Sequence, residues 1–138
     1  MKKALSYIIL ILVFCVLTII GACSSTGFTN VVEVTPSEAS ELISQHLDDP
    51  DFVIIDIRTP GEFSSGHLSE AVNIDYYASD FREQLEGLDK NNTYLLYCRT
   101  GNRSSKALDI MKELNFRKVF HLTSGIIGWQ SAGYSVLQ

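Results

Sequence analysis

The sequence predicts an α/β fold, a five-stranded, mainly parallel sheet with helices on both faces. Three observations carry this. From Val31 onward, short β-branched runs alternate with helical periodicities, the order of a parallel sheet covered on both faces. Phe52 to Ile57 is an apolar run broken only by Asp56, as a strand buried on both faces requires. A cysteine, Cys98, stands where the run Thr93 to Tyr97 gives way to a helical pattern. In such sheets, sites gather at the carboxyl ends of strands.

Val31 to Val34 is the first strand. Thr35-Pro36-Ser37-Glu38 then opens a helix, with Thr35 as N-cap, Pro36 at the first helical position and Glu38 completing a capping box. That helix is expected to reach about Leu47 and to bury Ala39, Leu42, Ile43 and Leu47. Asp48-Asp49-Pro50-Asp51 ends it, and Phe52 to Ile57 follows as the second strand. Pro60 to Ser65 makes a short helix, Gly66 a turn and Ala71 to Ile74 a third strand. Phe81 to Leu88 is helical, and Thr93 to Tyr97 is the fourth strand. Arg103 to Leu114 is a helix that turns Ala107, Ile110, Met111 and Leu114 to the core, with Asn115 as its cap. Lys118 to Leu122 is the fifth strand, and Ile126 to Ala132 a last short helix.

The N-terminus follows a different rule. Met1-Lys2-Lys3 leads into Ala4 to Ile20, an apolar run without charge, and small residues follow at Gly21 and Ala22. A basic start, an apolar run and a small-residue break describe a secretory signal. Ile20-Gly21-Ala22-Cys23 also resembles a bacterial lipobox, which implies acylation of Cys23 as the first mature residue. The expected division is residues 1–22 as signal peptide, 23–30 as lipidated cysteine and tether, and 31–138 as the domain. The alternative is an uncleaved anchor, since the run is close to the length that spans a bilayer. Either way the domain is expected outside the cytoplasmic membrane, and on the first reading it is a membrane-anchored lipoprotein facing the periplasm or the cell exterior.

Loss of Lys2 and Lys3 with the signal takes the formal charge from −5 to −7. An acidic domain without a basic stripe is a poor nucleic-acid binder. An anionic substrate would need local positive charge to overcome the global field. Of the three cysteines, Cys15 lies in the signal and Cys23 at the acylation position, so Cys98 is expected to be the sole mature thiol.

The segment Tyr97-Cys98-Arg99-Thr100-Gly101-Asn102-Arg103-Ser104-Ser105 joins a buried strand to a helix. A thiol there faces free N–H groups at the helix start, which favour negative charge. Arg99 and Arg103 are expected to add positive charge, and both effects favour the reactive thiolate. Gly101 lets the backbone amides turn inward into an anion-holding nest. The same position also suits a small buried cysteine packed at a strand end. The loop by itself leaves both open.

The loop resembles the active-site loop of the rhodanese family, and the likeness extends along the chain. Asp56-Ile57-Arg58, Glu62-Phe63, Gly66-His67-Leu68 and Ala71-Val72-Asn73-Ile74 follow the family's N-terminal motif in order and spacing. Leu114, Phe116, Val119, Leu122, Gly125, Trp129 and Ala132-Gly133 follow its C-terminal pattern. The resemblance implies a rhodanese-like fold and a sulfurtransferase in which Cys98 is the nucleophile. Residues Arg99, Thr100, Gly101, Asn102, Arg103 and Ser104 would surround the sulfur, and Arg58 matches a position that helps bind an anionic donor in some members. It implies a sulfur-containing anion such as thiosulfate as donor, and a thiol, cyanide or a protein as acceptor. It implies no metal and no organic cofactor. A non-catalytic persulfide relay docking on a partner, or a redox sensor, would use the same loop.

Two features refine the expectation. Phosphatases that share this fold carry one residue more between cysteine and arginine than the four from Arg99 to Asn102, and a smaller ring of amides suits sulfur better than phosphate. Thr100 stands where some thiosulfate-using members have lysine, which leaves the donor open, while Glu70 and Ser124 replace frequent glycines. His67 is expected to make a structural hydrogen bond, and His46 and His121 lie near element ends without metal-ligand spacing. Asp56 is expected to pair internally with Arg58. Tyr94, Tyr97, Phe120 and Trp129 read as core.

Overall fold

The computed structural model describes residues 29–138. The signal, Cys15, Cys23 and nearly all of the tether lie outside the described residues. Among the described residues, no helix is long and apolar enough to cross a membrane.

Five strands and five helices alternate. They are β1 (Asn30–Val34), α1 (Pro36–Gln45), β2 (Phe52–Asp56), α2 (Pro60–Ser64), β3 (Ala71–Asn73), α3 (Phe81–Glu86), β4 (Thr93–Tyr97), α4 (Asn102–Glu113), β5 (Lys118–Leu122) and α5 (Gly125–Ser131). The strands lie in the order β1-β5-β4-β2-β3 and every pairing is parallel. The sequence expectation of a five-stranded parallel sheet holds, and the bounds move by a residue or two.

Strand alternation divides the core in two. On one face Ile55, Ile57, Tyr94, Leu96 and Cys98 pack with Phe81 and Leu85 of α3 and with Ala107, Leu108 and Met111 of α4. On the other, Ile54, Leu95 and Tyr97 pack with Ala39 of α1 and with Ile126 and Trp129 of α5. A period of two along β2 and β4 therefore feeds both layers. Cys98 continues the Tyr94-Leu96 row, so its side chain lies on the α3–α4 face.

The strand order also fixes where a crevice opens. The chain leaves β2 towards β3 on one side, and leaves neighbouring β4 towards β5 on the other. Connections that part from adjacent strands leave a cleft at their carboxyl ends. Arg58 follows β2 there, and Cys98 follows β4.

Helix α1 departs from expectation at its end. It stops at Gln45 with His46 as cap, and Leu47 is 72% exposed rather than buried. The His46 ring stacks on Phe52, with Nδ1 2.7 Å from an Asp49 oxygen, and Asp48 takes a left-handed φ of 63°. Together these turn Leu47 away from the apolar face.

Burial predicts the energetics. Leu95→Ala, at a side chain with no exposed surface, should cost about 2–5 kcal/mol. Leu47→Ala should stay within about 0.5 kcal/mol. Denaturant titration of the two variants checks the contrast.

Candidate active site around Cys98

Cys98 is the first residue after β4 and is 1% exposed. Its Sγ accepts hydrogen bonds from the Gly101 N–H at 3.2 Å and from the Ser104 hydroxyl at 3.4 Å. Burial pushes the thiol up. The Ser104 hydroxyl and the backbone amides of Ser104, Thr100 and Gly101 outweigh it, so the pKa lies below the ordinary thiol value. The stabilisation expected from the helix start and the amide nest is therefore present.

The loop holds this shape because its carbonyls are tied on the outer side. The N–H groups of Ile126 and Ile127, in the first turn of α5, donate to the Cys98 and Arg99 carbonyls at 2.9 and 3.2 Å. Two glycines permit the approach. Gly101 has φ 94°, and a Cβ there would lie 2.0 Å from the Thr123 carbonyl oxygen. Gly125 has φ 58°, and its Cβ would lie 2.5–2.6 Å from the Arg99 carbonyl and the Cys98 oxygen. Ser124, in place of a frequent glycine, has an ordinary φ of −87°, whereas Glu70 takes the left-handed value of 61° that glycine would adopt freely.

Arg58 and Arg103 are each engaged by a carboxylate. Arg103 was expected to lend its charge to the thiol. Its Nη1 and Nη2 instead donate to the two Glu62 oxygens at 2.8 and 2.7 Å, and its guanidinium lies over exposed Tyr77. Its charge still reaches the sulfur, since Cys98 is among the groups that raise the Arg103 pKa. Arg58, matched to a donor-binding position, is buried and donates through Nε and Nη2 to the Asp56 carboxylate, and through Nη2 to the Gly66 carbonyl at 2.7 Å. The expected Asp56–Arg58 pair is thus present. Arg99 is exposed and makes no ion pair among the described residues. The side chains of Thr100 and Asn102 are exposed as well.

Glu62, read from the sequence only as part of the N-terminal motif, is one member of the site that was not expected. It completes a capping box on Thr59 at the start of α2, and so is held where α4 brings Arg103. Hydrogen bonding from Arg103 holds its carboxyl at about 2, despite partial burial. The Thr-x-x-Glu spacing was a visible signal for the cap, but nothing local pointed to a partner 41 residues away. His121 is the second. It is 4% exposed, and its Nε2 lies 2.8 Å from the Ser104 hydroxyl oxygen. His67, by contrast, sits with Nδ1 3.1 Å from the Phe63 carbonyl and stacks on the Phe63 ring, as a structural residue.

An open depression of about 220 Å³ adjoins the loop, lined by Arg58, Glu62, Gly66, Arg99, Ile126 and Ile127. Of the two guanidinium groups at its wall, Arg58 is paired with Asp56, and Arg99 is the one without an ion-pair partner among the described residues.

The comparisons with known proteins agree with this architecture. The family model described as Rhodanese-like domain matches residues 39–132. The chain belongs to the rhodanese-like family. A protein named sulfurtransferase from Allochromatium vinosum is 31% identical over 99 residues, which span 71% of this chain and 91% of that protein. A tRNA uridine(34) hydroxylase from an Enterobacter strain is 40% identical over 91 residues, and there the chain spans only 26% of the relative's length. Among solved structures, a rhodanese-related protein from Thermoplasma volcanium superposes with a TM-score of 0.64 at 24% identity, covering 77% of this chain and 97% of that one. At that identity the likeness establishes the fold.

Two variants test the rhodanese-like site. Gly125→Ala should displace the Cys98 and Arg99 carbonyls and cut the rate of Cys98 alkylation, while far-ultraviolet circular dichroism stays native. Glu62→Gln removes the charge of the Arg103 pair while a glutamine can still close the capping box, and it should cost about 1 kcal/mol. Because the folded pKa of Glu62 is lowered, its contribution is full above the ordinary carboxyl value of 4.5 and is lost as pH falls through about 2. Stability of the wild type should therefore fall more steeply than that of Glu62→Gln across this range, as read by denaturation at stepped pH.

Proposed function

We propose that this protein is a sulfurtransferase that carries sulfane sulfur as a persulfide on Cys98. The observation that carries the proposal is the Sγ atom at the carboxyl end of β4, hydrogen-bonded by the Gly101 amide and the Ser104 hydroxyl. These groups favour the thiolate, which is the nucleophilic form. Family membership and the relative named sulfurtransferase support the same chemistry.

In the first step the Cys98 thiolate attacks the outer sulfur of a small anionic donor such as thiosulfate. The new Sγ–S bond forms as the donor's S–S bond breaks, and sulfite leaves with the electron pair. In the second step an acceptor thiolate, or cyanide, attacks the outer persulfide sulfur and Cys98 leaves as thiolate. This is covalent catalysis with an alternating enzyme form. The amides that hold the resting thiolate are placed to hold the leaving thiolate again. Arg99, exposed at the edge of the depression, supplies the local charge that a donor anion needs in an acidic domain.

We also propose export and membrane attachment. The Lys2-Lys3 start, the apolar run to Ile20 and the Ile20-Gly21-Ala22-Cys23 segment support cleavage before Cys23 and acylation of its thiol.

Intact-mass measurement of protein purified from membranes checks both proposals together. Incubation with thiosulfate should add the mass of one sulfur atom to the wild type and none to Cys98→Ser. The untreated mass should correspond to a chain that starts at Cys23 and bears lipid, and Cys23→Ser should lose the lipid. A wild-type domain that gains no sulfur from thiosulfate or any other sulfane donor would overturn the sulfurtransferase proposal. A mass that retains residues 1–22 would overturn the lipoprotein proposal alone.

A further inference from the structure

The proposed chemistry uses Cys98 and its amides, and leaves a buried histidine unexplained. His121 lies on β5, next to β4, in parallel register with Leu96. It is buried, and its Nε2 is 2.8 Å from Ser104 Oγ. Its Nδ1 is buried and has no hydrogen-bond partner among the described residues. Ser104 Oγ in turn lies 3.4 Å from Cys98 Sγ and 3.0 Å from the Gly101 carbonyl oxygen. Sulfur, hydroxyl and imidazole therefore form one buried chain.

Counting protons along that chain selects one arrangement. Burial pushes the His121 pKa down, so the ring is neutral and carries a single N–H. With the proton on Nδ1, that N–H would be a buried donor without a partner, which folded proteins seldom tolerate. Nε2 would then be an acceptor and would draw the only Ser104 proton towards itself. With the proton on Nε2, the ring donates to Ser104 Oγ, and the serine proton is released for the sulfur or for the Gly101 carbonyl. Of those two acceptors, an anionic sulfur attracts the proton more strongly than a neutral carbonyl does. That carbonyl also accepts the Ser105 N–H at 2.9 Å.

We propose that His121, donating from Nε2 to Ser104 Oγ, turns the serine hydroxyl proton onto Cys98 Sγ and is a positioning residue for the thiolate. It touches neither donor nor acceptor. It removes one of the two competing uses of the serine proton, the other being the Gly101 carbonyl. Glu33, paired with His121 across β1 and β5, is the carboxylate that acts on the ring, and the Gly101 carbonyl also favours a ring proton. Arg103 is the cation that senses the Cys98 charge, and it is held by Glu62. The Gly101 carbonyl competes with Ser104 Oγ for the ring N–H but already accepts the Ser105 N–H, whereas Glu33 and Arg103 make no hydrogen bond to Ser104.

The inference rests on Cys98 as the nucleophile, but its test needs no sulfur donor. Thiolate formation is followed by ultraviolet absorbance against pH, with Cys98→Ser as the blank. The variants are His121→Phe, which fills the space without a donor, His121→Gln, whose amide can donate to Ser104, and Ser104→Ala. His121→Phe should cut the thiolate fraction at about pH 7 by roughly threefold or more, with His121→Gln recovering most of it. Ser104→Ala should lower the fraction at least as far, and adding His121→Phe to it should change nothing further. A thiolate titration unchanged in folded His121→Phe would overturn the proposal. So would a glutamine variant as impaired as the phenylalanine one, or a double variant whose losses add. All of these leave persulfide formation on thiosulfate as a separate measurement.

Discussion

The structure depends on one backbone constraint, which is the direction of the peptide groups just after β4. In a trans peptide the C=O and the following N–H point opposite ways. When α5 ties the Cys98 and Arg99 carbonyls outward, the amides of Arg99 and Thr100 are turned to the sulfur side. The Gly101 amide completes the set at 3.2 Å from Sγ. The tie holds because Gly125 has no Cβ, which lets α5 begin against the Cys98 loop. Trp129 and Ile126 then anchor α5 in the core beside Leu95 and Tyr97. The hydrophobic layer on one face of the sheet thus sets the electrostatics of a sulfur on the other.

That arrangement explains why the charges around the site are spent on each other. Asp56 and Arg58 are buried together after β2, and a lone charge at either position would be costly. Glu62 and Arg103 join the short helix α2 to the start of α4, across the mouth of the crevice. Both pairs fix the walls between which the loop sits. Neither guanidinium donates a hydrogen bond to Cys98 Sγ, whose donors are the Gly101 amide and the Ser104 hydroxyl. Dipoles built into the backbone are not screened by salt as exposed charges are. A thiolate held in this way should keep its character as ionic strength rises.

The fold was legible in the sequence because its signals are local. Capping by Thr35 and Glu38, the apolar run of β2, and the glycine after Cys98 act within a few residues, and each predicts its own element. Cys98 was legible for the same reason, lying at the junction of a strand and a helix. The parts that were not legible depend on distant partners. Arg103 meets Glu62, and Ser104 meets His121, only because parallel crossovers bring separate loops and strands to one end of the sheet. Reading charge from neighbours in sequence therefore gave Arg103 to the thiol, when a carboxylate from another loop had the better geometry. Leu47 failed differently. A helical period says which face a residue would take if the helix continued, and here His46 and Asp49 stop it first.

The fold alone does not separate sulfur transfer from phosphate chemistry, since function is decided by the site. The direction of Arg103 bears on the choice. Stabilising a transferring phosphoryl group calls for cationic side chains aimed at its oxygens, not only at the nucleophile. Here four residues separate Cys98 from Arg103, and the guanidinium at the end of that short loop is held by both oxygens of Glu62. To face an oxyanion above Cys98 it would have to give up two charge-assisted hydrogen bonds. Those bonds are of the strong kind. The ring of amides that remains is suited to a single sulfur atom with one negative charge, which is what a thiolate or a persulfide presents.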